Sequence, residues 1–179
     1  MRVAILHYSN SIIDLSKLFG MQIMELGELS ELKNHGINAT LFCKYVKGYH
    51  PNIKELPYND CDRLLFDLPF YTRFIDRNTD ADIIQGNATP LLAVFNPEKT
   101  IIRFDGPIEF PLTNNYQITK AYARARFIFV SNYLRDLYLK KYQFLNPQNC
   151  YVLHNAVNQL DYAPKKKNKN LTRDYRLDY

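Results

Sequence analysis

Asp105 follows the apolar run Thr100-Ile-Ile-Arg103-Phe104 directly, and packing accounts for it less well than for its neighbours. A carboxylate in that place can cap, pair with Arg103, or bind a hydroxyl-rich ligand. Other apolar runs also end on polar groups: Asp82-Ile-Ile on Gln85-Gly86-Asn87, Phe127-Ile-Phe-Val130 on Ser131, and Tyr151-Val-Leu153 on His154-Asn155. A fifth signal is Gly20-Met21, after the polar stretch 8–16 and at the start of a helical pattern. Glycine there lets a ligand approach the backbone, and the free amides of a helix N-terminus suit a phosphate. The same glycine also serves plain turn chemistry. In open α/β sheets, ligands bind outside the carboxyl ends of the strands, so these tips are where chemistry is expected.

The elements that must position them read as strands at 2–7, 37–43, 64–68, 82–85, 100–104, 127–130 and 151–153, with helical segments between. Strands that alternate with helices through short connections predict an α/β, doubly wound, Rossmann-like and mainly parallel sheet of about seven strands. The clearest helix spans 20–34. Phe19, Ile23, Leu26 and Leu29 form its expected apolar arc, with Glu25, Glu28 and Glu31 opposite. Gly27 and Ser30 fall within that arc and predict close packing on the sheet. Gly36 is placed to stop the helix, and Ser131 to cap a helix over 132–142. Residues 44–77 mix aromatic and basic side chains and read as loops with one helix.

With 179 residues, 46% of them hydrophobic, the chain has material for one core. The opening Met1-Arg2-Val-Ala-Ile-Leu-His7 reads as a strand rather than a secretory segment, which predicts a cytoplasmic protein. The Asn-x-Thr triplets at Asn38, Asn87 and Asn170 are then accidents of composition. Cys43, Cys61 and Cys150 have no Cys-x-x-Cys spacing, against a disulfide framework or a zinc site. Their expected role is as small hydrophobes. The net charge of +5 is uneven: residues 1–164 hold 17 Lys and Arg against 16 Asp and Glu, and 165–179 hold 6 against 2. A nearly neutral body argues against nucleic acid as a partner. The run Lys165-Lys-Lys-Asn-Lys169 reads as a solvated linker.

Taken in order, these pieces resemble the N-terminal, acceptor-side half of a family 4 glycosyltransferase of the GT-B fold. The stretches that carry the resemblance are Gly20-Met21, Leu32-Lys-Asn-His35-Gly36, Asp82-Ile-Ile-Gln85-Gly-Asn87 and Lys99-Thr-Ile-Ile-Arg103-Phe-Asp105-Gly106. They continue with Ala125-Arg-Phe-Ile-Phe-Val-Ser131, Val152-Leu-His-Asn155-Ala-Val-Asn158 and Tyr162-Ala-Pro164. Five positions depart from the family pattern. Met21 stands for a second glycine, Gln85 and Asn87 for histidines, Asp105 for a histidine near the sugar, and Ala156 for the glycine of an Asn-Gly turn.

The resemblance implies a retaining, metal-independent transfer of a sugar from a nucleotide-diphosphate sugar to a glycan or lipid-linked acceptor. That donor is a substrate, and no further cofactor is implied. Backbone amides of Gly20 and Met21 would lie near the diphosphate, while Asp105, as the catalytic candidate, and Gly106 would border the transferred sugar. Asn87, Arg103, Ser131 and Asn155 would line the acceptor side. Residues 1–164 would form the N-terminal domain, and 165–179 a basic linker towards a C-terminal GT-B domain, supplied in cis or in trans. The chain alone would then be inactive. The departures leave a second expectation open, a non-catalytic interaction module on the same fold. The Lys run and the 44–77 stretch leave a third, peripheral membrane contact. No carboxylate pair at glycosidase spacing is evident, so hydrolysis is not expected.

Overall fold

The computed structural model describes residues 1–7, 12–56, 75, 77 and 80–155. The expected strand at 64–68, Cys61, most of the 44–77 stretch and the basic tail 165–179 lie outside them. Nine strands are described: β1 (Arg2–Leu6), β2 (Ile13–Asp14), β3 (Asn38–Cys43), β4 (Val46–Lys47), β5 (Ile53–Glu55), β6 (Ile83–Asn87), β7 (Thr100–Phe104), β8 (Arg126–Phe129) and β9 (Cys150–Val152). The α-helices with described bounds are α1 (Gly20–Asn34), α2 (Tyr116–Arg124) and α3 (Asn132–Lys141).

Seven strands form one parallel sheet in the order β5-β3-β1-β6-β7-β8-β9, and β2 pairs with β4 separately. The chain winds outwards from β1 to β5, then returns to the other side of β1 and winds outwards again. This is the doubly wound α/β architecture expected from the alternation. The strand order reverses between β1 and β6, and sheets of this kind bind their ligands at the carboxyl edge of such a switch point. One described strand of the sheet was not foreseen: β5 lies within the stretch read as loops and a helix. Its register, Leu41 to Ile53 and Cys43 to Glu55, shows that three residues beside β3 suffice for an edge strand.

Alternation along the strands sends side chains to two cores. Ala4, Leu6, Ile84, Ile102, Phe104, Phe127 and Phe129 join Tyr122 of α2 and Tyr138 of α3 on one face. Val3, Ile5, Ala39, Leu41 and Cys43 join Leu29 of α1 on the other. Burial raises the thiol pKa of Cys43 to about 12 and that of Cys150 to about 11, which leaves both as small hydrophobes.

Helix α1 has the predicted bounds but docks on a different face. Its buried residues are Gln22, Glu25 and Leu29. Phe19 and Ile23, assigned to the apolar arc, are exposed. Gly27 and Ser30 are exposed too, and a Cβ on Gly27 would meet nothing within 4 Å, so neither mediates close packing. The reason is spacing: Leu18, Gln22, Glu25, Leu29 and Leu32 recur at intervals of four and three, and this stripe faces the sheet although two of its members are polar. Gln22 also accepts from Phe19 N at 3.3 Å and donates to the carbonyl of Ile12 at 3.1 Å, which anchors the helix entry. Gly36, at φ +69°, ends the helix as predicted.

Ser131 caps α3, its Oγ accepting from Leu134 N at 3.1 Å. Ser131→Ala is expected to cost about 1 kcal/mol of stability in urea unfolding. Asn115 caps α2 in the same way, through Gln117 N and Ile118 N. Among the described residues, no helix is long and apolar enough to cross a membrane.

Candidate functional site

The carboxyl ends of β1, β6 and β7 carry polar side chains. Ile5 pairs with Gln85 and Asn87 pairs with Arg103, so His7, Asn87 and Arg103 form a row across β1, β6 and β7. All three are buried, on the face that α1 covers. Strand parity explains the row. His7 continues Val3 and Ile5, and Asn87 continues Ile83 and Gln85, so each strand turns polar on this face at its carboxyl end.

Helix α1 supplies the complementary groups. Glu25, 0% exposed, bonds His7 Nδ1 through Oε2 at 2.6 Å and accepts from Asn87 Nδ2 through Oε1 at 2.6 Å. A carboxylate only accepts, so His7 carries its proton on Nδ1 and Asn87 turns its amide NH2 towards Glu25. One turn later, Glu28 Oε2 accepts from Gln85 Nε2 at 2.9 Å. Burial raises the Glu28 carboxyl above its ordinary range, and the charges of Glu25 and Asp105 add to that. The Gln85 bond and Arg103 pull the other way.

Arg103 joins the far side. Its Nε donates to Asp105 Oδ1 at 3.3 Å, and its terminal nitrogen donates to Asn155 Oδ1 just beyond β9. Four residues singled out from sequence are therefore brought together: Asn87, Arg103, Asp105 and Asn155. Gly106 adjoins them, and its carbonyl accepts weakly from Tyr138 OH at 3.4 Å. Gly20 and Met21 stand at the open N-terminus of α1, where a Cβ on Gly20 would meet nothing within 4 Å. The Ser131 Oγ accepts the capping bond from Leu134 N.

His7, Glu25 and Glu28 were not among the expected site residues, and Gln85 was singled out only as part of a polar strand end. The signal was present for Glu25, which sits four residues before Leu29 on the inward stripe. It was also present for His7, at the inward parity of the first strand.

The turn after β6 is strained. Ala88 has φ +57°, a left-handed value for a residue with a Cβ, and its N–H is held by the carbonyl of Arg103 at 2.8 Å. Such outliers cost of order 1–3 kcal/mol and gather at functional sites. Gly86 is needed on the opposite face. A Cβ there would lie 2.3 Å from Thr89 Oγ1 and 2.6 Å from Leu92 Cδ2. Gly86→Ala is expected to lose about 1–3 kcal/mol by overpacking, read from the urea midpoint.

Among the described residues, two buried side-chain polar atoms have no hydrogen-bond partner: Asn87 Oδ1 and Thr89 Oγ1. The Thr89 hydroxyl lies against Gly86 and Leu92, on the aromatic-core side. Asn87 Oδ1 belongs to the polar row. Among the described residues, no three His, Cys, Asp or Glu side chains are grouped to hold a metal ion.

No protein-family model matches the chain, and no curated protein matches it in sequence. Solved structures that resemble this chain include two glycosyltransferases. One is a glycosyltransferase from Rickettsia africae ESF-5, with a TM-score of 0.59 and 14% identity over 95% of this chain and 47% of that one. The other is an alpha-glucosyltransferase in complex with UDP and a 13-mer DNA containing a central A:G mismatch. Its TM-score is 0.49 and its identity 13%, over 90% of this chain and 42% of that one. The chain thus spans about half the length of either. At such identity the likeness is one of architecture: this chain has the Rossmann-like fold found in a little under half of the Rickettsia africae glycosyltransferase.

Proposed function

We propose that the chain is one half of a two-domain glycosyltransferase, the half that receives the acceptor of a sugar carried on a nucleoside diphosphate. The observation that carries this reading is the polar row His7–Asn87–Arg103, set where the strand order reverses and extended by Asp105 and Asn155. Such a row supplies paired donors and acceptors for a hydroxyl-rich ligand at the place where doubly wound sheets bind theirs. The fold likeness to a glycosyltransferase supports the same reading.

In this reading, Asp105 and Gly106 border the transferred sugar, and Asn87, Arg103 and Asn155 hold the acceptor. The amides of Gly20 and Met21 face the diphosphate from the start of α1. The transfer is of the family 4, retaining type. Catalysis in a cleft between domains depends on positioning and on stabilising the leaving diphosphate. This chain holds one wall of that cleft, so it is silent by itself.

The test is sugar transfer from a panel of nucleotide-sugars, run with the 179-residue chain alone and with a polypeptide carrying both halves. Transfer is expected only from the latter. Arg103→Ala there is expected to lower turnover on the order of a hundredfold, because it frees Asp105 and Asn155 from their shared anchor. Robust transfer by the chain alone, or full activity in the Arg103 variant, would overturn the proposal.

A further inference from the structure

Strand β7 ends at Phe104, and the chain runs on as Asp105-Gly106-Pro107-Ile108-Glu109-Phe110-Pro111. A stretch outside helix and sheet must find partners for its backbone elsewhere. Pro107 and Pro111 have no N–H, so between them only Ile108, Glu109 and Phe110 can donate. Among the described residues, the backbone bonds of this strap go to three tyrosine hydroxyls. Tyr138 accepts from the Ile108 N–H, donates to the Ile108 carbonyl at 2.6 Å, and lies 3.4 Å from the Gly106 carbonyl. Tyr142 accepts from the Phe110 N–H at 3.3 Å and donates to the Glu109 carboxylate, which also pairs with Lys141. Tyr122 donates to the Pro111 carbonyl at 3.1 Å.

The rings that carry these hydroxyls are buried, and so is Phe110, which stands among them. Its centroid lies 4.9 Å from Tyr122, 4.9 Å from Tyr142 and 5.9 Å from Tyr138. Phenylalanine at all three positions would serve packing alone, so the hydroxyls answer a second requirement, a fixed path for the strap. Tyr138 is the tyrosine whose bonds come nearest the rim, at the first and third residues after Asp105. Asp105 is thus restrained from both sides, by Arg103 Nε at 3.3 Å and by the fastened strap that follows it.

We infer that Tyr138 is a positioning residue: through Gly106 and Ile108, its hydroxyl sets the conformation in which Asp105 and Gly106 border the transferred sugar. The inference rests on the proposed function for the role of Asp105. It adds that this wall of the site is built before substrate arrives, and does not form by a loop closing over it. Preorganised groups act where charge and geometry change, in the transition state, more than in ground-state binding. Loss of the hydroxyl therefore falls on kcat more than on KM.

The test compares Tyr138→Phe, which keeps the ring against Phe104 and Phe129, with Tyr122→Phe at the far end of the strap. In the isotope-labelled 179-residue chain, Tyr138→Phe is expected to speed amide exchange at Ile108 at least about tenfold. It is also expected to move the Gly106 amide and Asp105 carboxyl signals, which stay in place in Tyr122→Phe. In a polypeptide carrying both halves, Tyr138→Phe is expected to lower kcat about tenfold with KM within about twofold, and Tyr122→Phe to change neither. Gly106 and Asp105 signals that stay still in Tyr138→Phe would overturn the inference. So would a kinetic loss shared equally by the two variants, or one confined to KM. A Tyr138→Phe chain that fails to fold, judged by circular dichroism, would overturn it too, since the hydroxyl would then serve the core. If the wild-type polypeptide transfers sugar and Tyr138→Phe keeps full kcat, the inference falls and the transferase reading stands. If the signals move but the wild-type polypeptide transfers nothing, the transferase reading falls, and Tyr138 still sets the conformation of Asp105 and Gly106.

Discussion

Glu25→Ala is expected to destabilise the fold by about 3–5 kcal/mol, the range for removing one member of a buried ionic or hydrogen-bonded pair. Glu25 is fully buried and holds two partners that are themselves buried, His7 and Asn87. Truncation leaves an imidazole N–H and an amide NH2 in a dry interior, each lacking an acceptor, and adds a small cavity. Glu25→Gln is expected to fall between wild type and alanine, since its carbonyl can accept from only one of the two donors. Ile23→Ala, on the same helix, is the control. Ile23 is 55% exposed, and its loss is expected to stay within about 0.5 kcal/mol. Urea unfolding of the three variants decides the matter. An Ile23 variant less stable than the Glu25 variant would mean that α1 docks by its apolar residues rather than by the Gln22–Glu25–Leu29 stripe.

Phe104→Ala is expected to be as severe, about 3–5 kcal/mol, through loss of buried ring area and the cavity left behind. Phe104 is 0% exposed, and its ring centroid lies 4.8 Å from Tyr138, 5.5 Å from Phe129 and 5.6 Å from Phe110. Tyr138 also ties the segment after β7, its hydroxyl accepting from the backbone N–H of Ile108 and donating to the carbonyl of Ile108 at 2.6 Å. Phe104 stands between Arg103 and Asp105, so the loss reaches the site directly. The side-chain signal of Arg103 is expected to broaden or move in Phe104→Ala and to stay put in Phe104→Leu, which refills most of the volume. A Phe104 variant with an unchanged urea midpoint would show that the aromatic core is not what holds β7 in place.

Much of the architecture is legible in the amino-acid sequence. Runs such as Thr100-Ile-Ile-Arg103-Phe104 are strands because β-branched and aromatic residues fit a pleated, buried surface, and β7 has the bounds that its run predicts. Gly36 and Ser131 marked helix ends through local chemistry, a left-handed turn and a side-chain cap, which need no distant partner. Strand β5 was not legible. Ile53-Lys54-Glu55 has no apolar run of its own and becomes a strand because β3 offers it an edge to pair with.

The site divides along the same line. Asn87, Arg103, Asp105 and Asn155 were found because each ends a readable strand, and a parallel sheet sends all such ends to one rim. Glu25 was misplaced because its neighbours argue for solvent: Glu28 and Glu31 share its side of the helical wheel, and Ile23 and Phe19 suggest the opposite face for the core. What put it inside is a pair of buried donors, one from β1 and one from β6, contributed by residues 18 and 62 positions away.

Local order alone therefore determined that this chain alternates strands and helices and lays its polar tips along one edge, since propensity, parity and capping act over a few residues. Tertiary structure decided which helix face turns inward and which charges become neighbours. Burying a carboxylate is tolerable only when specific donors meet it, and those donors come from strands far apart in the chain.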